Sequence, residues 1–306
     1  MAYRVESNVT KQTAPVRVEH DIPSYLSSDE ALIHALNRYP SDLLDISRYD
    51  FGDNGKVVLT PGWRGRAAGE TVLDAIRNGQ LCVSLREIET AHPGLWGEIE
   101  LAFSHLAPRT FGKARKLTGD LIVSSSTARF PYSFDPANTI MFHLRGVRRV
   151  WIYPKTEDFL PQETAEKIIV GESGSELPGA RAKDQEAWRF DIVPGEALAW
   201  PLHAPHRIEN DEGLCVSVVV KFETADSAIT NGALLANSVL RRWHWEVPDV
   251  DKTSPAIRAG LWASSLVFTG LGLIEHKPTE AKPERRKTHR FPLEQEWRIE
   301  RRSLFS

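Results

Sequence analysis

The stretch from Phe130 to Pro154 constrains the fold more than any other part of the chain. It reads FPYSFDPANTIMFHLRGVRRVWIYP. Two runs of β-branched and aromatic residues flank Gly146, and prolines punctuate both ends. This pattern predicts a loop, a strand, a turn at Gly146 and a second strand. Downstream, Trp188 to Ile192 and Glu196 to Trp200 predict two more strands about the Pro194-Gly195 turn. Leu214 to Phe222 (LCVSVVVKF) reads as a strand covered on both faces. Upstream, Asp120 to Ser126 predicts a strand ending in a hydroxyl cluster.

Around this β-rich centre the signals are largely helical. Ser27 with Glu30 fits a capping box for a helix through Arg38, whose apolar stripe is Ala31, Leu32, Ala35 and Leu36. A short helical piece is expected from Pro40 to Ile46, a turn at Asp53-Asn54-Gly55 and a strand from Lys56 to Leu59. Helices are expected over 71–79 and 94–106, with a buried strand at 81–85 between them. The polar insert 155–187 is partly helical near 162–169, and helices follow over 227–245 and 255–274. The organisation expected is an N-terminal helical and irregular region (1–110) packed on a β core (111–225). C-terminal helices (226–275) and a basic tail (276–306) follow.

The apolar share, 41%, is ordinary for a globular protein. The net charge of -3 argues against general nucleic-acid binding, which needs a basic footprint. Cys82 and Cys215 lack disulfide-framework and zinc spacing, which suits a reduced, cytoplasmic setting. The polar first residues carry no secretory signal pattern, and the apolar run at 255–274 is short for a bilayer span and contains Arg258. No membrane role is expected.

Two blocks, Phe142-His-Leu-Arg-Gly-Val-Arg-Arg-Val-Trp-Ile-Tyr-Pro154 and Trp200-Pro-Leu-His-Ala-Pro-His-Arg-Ile-Glu-Asn210, resemble the signature halves of the cupin-like JmjC family. The resemblance is convincing over roughly 120–225. It implies a mainly β chain: a double-stranded β-helix, or jelly roll, with N-terminal helical wrapping and C-terminal helices. It also implies an Fe(II)- and 2-oxoglutarate-dependent oxygenase. Such iron is held by two His and one carboxylate on one face of the octahedron. On this resemblance Asp135 and His206 are the metal-binding and catalytic residues. The family's first His, two residues before the carboxylate, is here Ser133.

The resemblance further places Arg148 where a Lys usually holds the distal carboxylate of 2-oxoglutarate. An Arg can hold that group in a bidentate fork. Thr139 stands where many relatives have Asn, and Tyr132 and His143 are expected to line the pocket. Each residue also admits a plainer role: Asp135 before Pro136 suits a turn cap, and His206 a packed structural histidine. Two functions stay open. One is an iron oxygenase acting on a small molecule or a protein side chain. The other is a non-catalytic binding or regulatory jelly roll that has lost its iron. A homodimer through the C-terminal helices is the expected assembly.

Overall fold

The computed structural model describes residues 12–51, 57–178, 181–274 and 291–293. The first half of the chain contains β1 (Val16–Glu19), α1 (Asp29–Arg38), β2 (Leu44–Phe51), β3 (Val57–Trp63), α2 (Gly69–Asn78), β4 (Leu81–Leu85), α3 (Ile88–Ala91) and α4 (Pro93–Thr110). The β-rich part contains β5 (Arg115–Ser124), β6 (Arg129–Ser133), β7 (Asn138–Ile152), α5 (Gln162–Val170), β8 (Trp188–Ile192), β9 (Glu196–Trp200) and β10 (His206–Glu223). It is followed by α6 (Ala225–Arg242), α7 (Pro255–Gly270) and the two-residue β11 (Phe291–Pro292).

Two long strands, β7 and β10, run antiparallel along their whole lengths and each serves two sheets. The first half of β7 and the second half of β10 join the larger sheet, ordered β1-β9-β7-β10-β5-β4-β2-β3-β11. Their other halves join a smaller sheet with β8 on one side and β6 on the other. Two sheets folded over one another by shared bent strands make a jelly roll. The molecule is a double-stranded β-helix with flanking helices.

Alternation along β7 decides what each face touches. Ile140 and Phe142 join Val216, Val218 and Val220 in a cluster with Leu32 and Leu36 of α1, Val72 and Ile76 of α2, and Ile99 and Phe103 of α4. Their neighbour Met141 points the other way, into the barrel, with Val150, Ile152, Ile192, Leu198 and Trp200. The outer face of the smaller sheet carries Trp151 and Tyr153 against α5 and α6.

Four sequence expectations change. Gly146 makes no turn: β7 continues through it with φ of +82°, bending from one sheet to the other. The reason is space, since a Cβ there would lie 2.6 Å from Cys215 Sγ and 2.8 Å from the Leu214 oxygen. Residues 44–46 are strand, not helix, because Leu44 and Ile46 alternate with polar neighbours and insert into the apolar cluster. The cap of α1 is Ser28, whose hydroxyl accepts from the Ala31 amide, while Ser27 is buried and donates to Ser24. The N-terminal region, expected to be helical and irregular, begins with a strand among the described residues, as β1 pairs with β9. The expected Asp53–Gly55 turn and nearly all of the basic tail lie outside the described residues. Among the described residues no helix is long and apolar enough to cross a membrane.

Candidate functional site

One end of the barrel is built from the end of β6, the loop after it and the start of β10. Ser133 is the cross-strand partner of His206, and such partners send their side chains to the same face of a sheet. Asp135 follows in the loop. His206 Nδ1 lies 3.1 Å from the Ala204 carbonyl oxygen. A carbonyl only accepts, so Nδ1 carries a proton and turns Nε2 the other way. Nε2 faces Asp135 Oδ2 at 3.6 Å. The Trp200 ring packs on the imidazole at 4.6 Å and fixes its plane. The mouth therefore brings an imidazole nitrogen and a carboxylate oxygen face to face, with a serine beside them.

Deeper in the barrel sits Arg148, only 1% exposed. It is on the β7 face that carries Val150 and Ile152, so its side chain enters the interior. Nε donates to Asn210 Oδ1 (3.1 Å), one terminal nitrogen to Ser124 Oγ (2.8 Å) and the other approaches Met141 Sδ (3.8 Å). The guanidinium lies over the Phe130 ring at 5.4 Å. A guanidinium has five N–H donors, and here only two meet oxygen. Among the described residues no carboxylate pairs with it. Burial alone therefore pulls its pKa down.

The remaining expected residues separate. Thr139 faces the interior opposite Trp200, buried, its hydroxyl donating to the Ala137 oxygen at 3.3 Å. His143 lies further along the same face, at the bend. Its Nδ1 is 2.8 Å from Ser217 Oγ and its Nε2 2.9 Å from the Gly146 oxygen. Both nitrogens are used locally, and burial, with help from nearby Arg148, pushes its pKa down to about 3. It braces the bend and offers no free atom to a ligand. Tyr132 points out of the barrel: its hydroxyl donates to the Phe159 oxygen (3.0 Å) and its ring packs on Tyr153. A register shift in the β6–β10 pairing turns Phe130 and Ser133 inward and Tyr132 outward. Tyr132 and His143 therefore do not line the pocket as expected.

Three partners of the site were not singled out from sequence. Ser124, Asn210 and Met141 surround Arg148. Asn210 also donates to Ser124 Oγ (2.9 Å) and the Ser125 oxygen (2.6 Å), locking the cradle. The signal existed for Asn210: it lies four residues after His206, an even spacing that returns to the same strand face. His203, near the mouth, is a buried brace. Its Nε2 meets Asn231 Oδ1 at 2.7 Å, and Asn231 in turn donates to the Pro136 oxygen at 2.8 Å. Burial and the adjacent Lys155 bring its pKa to about 3.

The donors do not fit the iron site that the resemblance implies. Facial coordination needs three protein ligands, and the mouth offers two, Asp135 and His206. Among the described residues no group of three or more His, Cys, Asp or Glu side chains is arranged to hold a metal ion. Ser133 supplies a hydroxyl that stays protonated, and His143 is committed elsewhere.

No protein-family model matches the chain, and no curated protein does. Among solved structures, Escherichia coli ycfD is similar over 91% of this chain and 71% of its own, at 15% identity and a TM-score of 0.49. A second structure, of the E. coli ribosomal oxygenase YcfD, covers 91% and 70% at 14% identity and 0.47. Its complex with cobalt and 2-oxoglutarate covers 87% and 64% at 16% identity and 0.46. The architecture given above rests on this chain's own strand pairing.

Proposed function

We propose that the barrel binds a small carboxylic acid whose carboxylate docks on Arg148, and that the protein acts as a binding module and not as an iron oxygenase. One observation carries this reading: a guanidinium sealed inside the barrel without an acid partner among the described residues. Burying an uncompensated charge costs several kcal/mol, so a chain that keeps one inside its barrel has a use for it. A carboxylate would take the two-pronged bonds that Asn210 and Ser124 leave open. The acid nominated by the family resemblance is 2-oxoglutarate. Calorimetry with 2-oxoglutarate and succinate tests the reading. The unmodified protein binds at least one of the two, and Arg148→Gln removes the heat. Equal binding by Arg148→Gln would overturn it.

A second reading keeps the iron. It is favoured by the orientation of His206, since an Nδ1–H held by Ala204 turns Nε2 toward Asp135. In that case Asp135 and His206 are the metal ligands, the substrate is a small molecule or a protein side chain, and water takes the place of the missing imidazole. Anaerobic addition of Fe(II) and then 2-oxoglutarate separates the two readings. A visible charge-transfer band in the unmodified protein supports the oxygenase. A band seen only in Ser133→His supports the binding module.

The partner we propose is a second copy of the chain on α7. Ile257, Leu266 and Val267 of that helix and Leu271 just after it are exposed, as are Trp243, Trp245 and Leu273. A stable dimer buries about 800 Å² per partner, and these side chains expose apolar area of that order.

A further inference from the structure

We infer that a cavity outside the barrel interior is a second binding site, for a neutral flat ring that carries a carboxamide or lactam edge. Arg148 does not line this cavity, so the site stands apart from the carboxylate reading above.

The cavity has a volume of about 350 Å³, within the range of small-molecule sites. It is enclosed by the end of α4, the start of β7, the segment after β7, the β9–β10 loop and the first half of α6. Phe111, Tyr153, Trp188, Pro201 and Leu202 give it aromatic and apolar walls. Walls of this kind pack against the faces of a ring.

Charge decides what the ring does not carry. The charged side chains that line the cavity are Lys155, Asp226 and Asp251, and each is already paired. Lys155 meets Asp251 at 2.7 Å, and Asp226 meets Arg258 at 2.9 Å. An acid would face two carboxylates whose cations are taken, and like charges set together are costly. An amine would have to displace Lys155 or Arg258 from its acid. A neutral ligand avoids both costs.

The polar edge is set by buried groups that the fold leaves incompletely bonded. Asn138 is 8% exposed. The Thr224 hydroxyl accepts from the Ser227 amide (3.1 Å), so its own proton is available to Asn138 Oδ1 at 3.4 Å. That holds the oxygen end of Asn138. Its amide nitrogen then has no partner among the described residues, and the side chain lines the cavity. Thr230, 1% exposed, lines the same cavity with a hydroxyl that meets no partner among the described residues. Gln12, also in the lining, spends its amide nitrogen on the Ala14 oxygen (3.2 Å), and its Oε1 is buried and unbonded among the described residues.

A buried polar group left unbonded is costly. Here such groups come from the N-terminal arm, β7 and α6, and they surround one space. They offer an N–H donor, a carbonyl acceptor and a hydroxyl that serves as either. A carboxamide or lactam is the complement: its oxygen accepts from Asn138, its N–H donates to Gln12, and Thr230 bonds either one. A hydrocarbon ring would leave all of these groups unpaired. A sugar would bring more hydroxyls than the cavity has partners.

The test is ligand-observed NMR with calorimetry on the full chain, using benzamide and uracil as probes. At least one is expected to bind with low-millimolar or tighter affinity, the range open to ligands this small. Toluene and benzoate at equal concentration should not displace it. Thr230→Val removes a hydroxyl that bonds nothing in the fold. The variant should melt at or above the parent temperature and bind the probe roughly tenfold more weakly. Asn138→Leu should weaken binding to a similar extent. Folded Arg148→Gln should bind the probe as the parent does, whatever becomes of acid binding, and a loss there would move the probe out of this cavity and overturn the inference. It is equally overturned if neither probe binds at that affinity, if toluene or benzoate displaces the bound probe, or if Thr230→Val binds it as tightly as the parent.

Discussion

Arg148 shows how much one residue's surroundings say that its identity does not. In the sequence it is one of two adjacent arginines. In the fold, Arg149 faces outward and pairs with Asp191 (2.7 Å) and Asp211 (3.1 Å), while Arg148 turns inward and meets no acid among the described residues. The two carry the same charge with opposite consequences. An exposed pair such as Arg149–Asp191 contributes little to stability, and a sealed cation detracts from it. Replacing Arg148 with Met removes the buried charge and keeps most of the volume, so the variant should melt at or above the parent temperature while losing acid binding. Calorimetric melts with and without ligand check both halves. A variant that melts many degrees lower would show that the charge is structural.

The buried histidines give a pH prediction at the same scale. His143 and His203 both have folded pKa values near 3, against the ordinary 6.5, because burial disfavours the charged ring. Below pH 6.5 the unfolded chain takes up protons that the folded chain refuses. Stability is therefore full above about 6.5 and falls as pH drops toward 3, by about 1.4 kcal/mol per pH unit for each ring. Urea unfolding at pH 7, 6 and 5 should follow that slope. His203→Gln, which keeps a group able to bond Asn231, should roughly halve it; an unchanged slope would remove His203 from the account.

Among the elements, β7 and β10 define the molecule, and Gly146 is what lets β7 serve two sheets. Its φ of +82° is open to glycine and strained for other residues. Gly146→Ala adds strain and drives a methyl group against Cys215 Sγ and the Leu214 oxygen. The expected loss is about 2–4 kcal/mol by chemical denaturation. Cys215→Ala in the same chain should recover only part, because the Leu214 clash is with backbone. Full recovery would mean that the thiol contact alone mattered. The element scale also explains the misreading of 44–46. Pro40-Ser41-Asp42 looks like a helix start, yet Leu43 bonds back to the Pro40 oxygen in a turn and the following residues alternate in and out. Local capping signals cannot report that β4 is waiting beside this segment to accept a strand.

For the whole molecule, the proposed dimer would form on the exposed side of α7. The helix packs on α6 closely: a Cβ at Gly232 would meet the Trp262 ring and come within 3.0 Å of Ser265 Oγ. Its other side presents Leu266, Val267 and Leu271 to solvent. Leu266→Asp with Leu271→Asp should convert a dimer to a monomer in sedimentation velocity at micromolar concentration, with acid binding intact. A parent chain already monomeric there would refute the dimer.

The sequence by itself determined the strand content of the β-rich half, because period-two alternation and glycine-proline turns are local properties. Trp188–Ile192 and Glu196–Trp200 fall where the pattern puts them. It also placed Asp135 and His206 as candidates, through short motifs that need no knowledge of folding. Only the tertiary structure decided which of these residues meet. Whether Tyr132 faces in or out depends on a single register shift between β6 and β10, which reverses side-chain direction and leaves no mark on composition. The same holds for Arg148. Its want of an acid partner is a fact about strands distant in sequence, β5, β7 and β10, closing around it and excluding water.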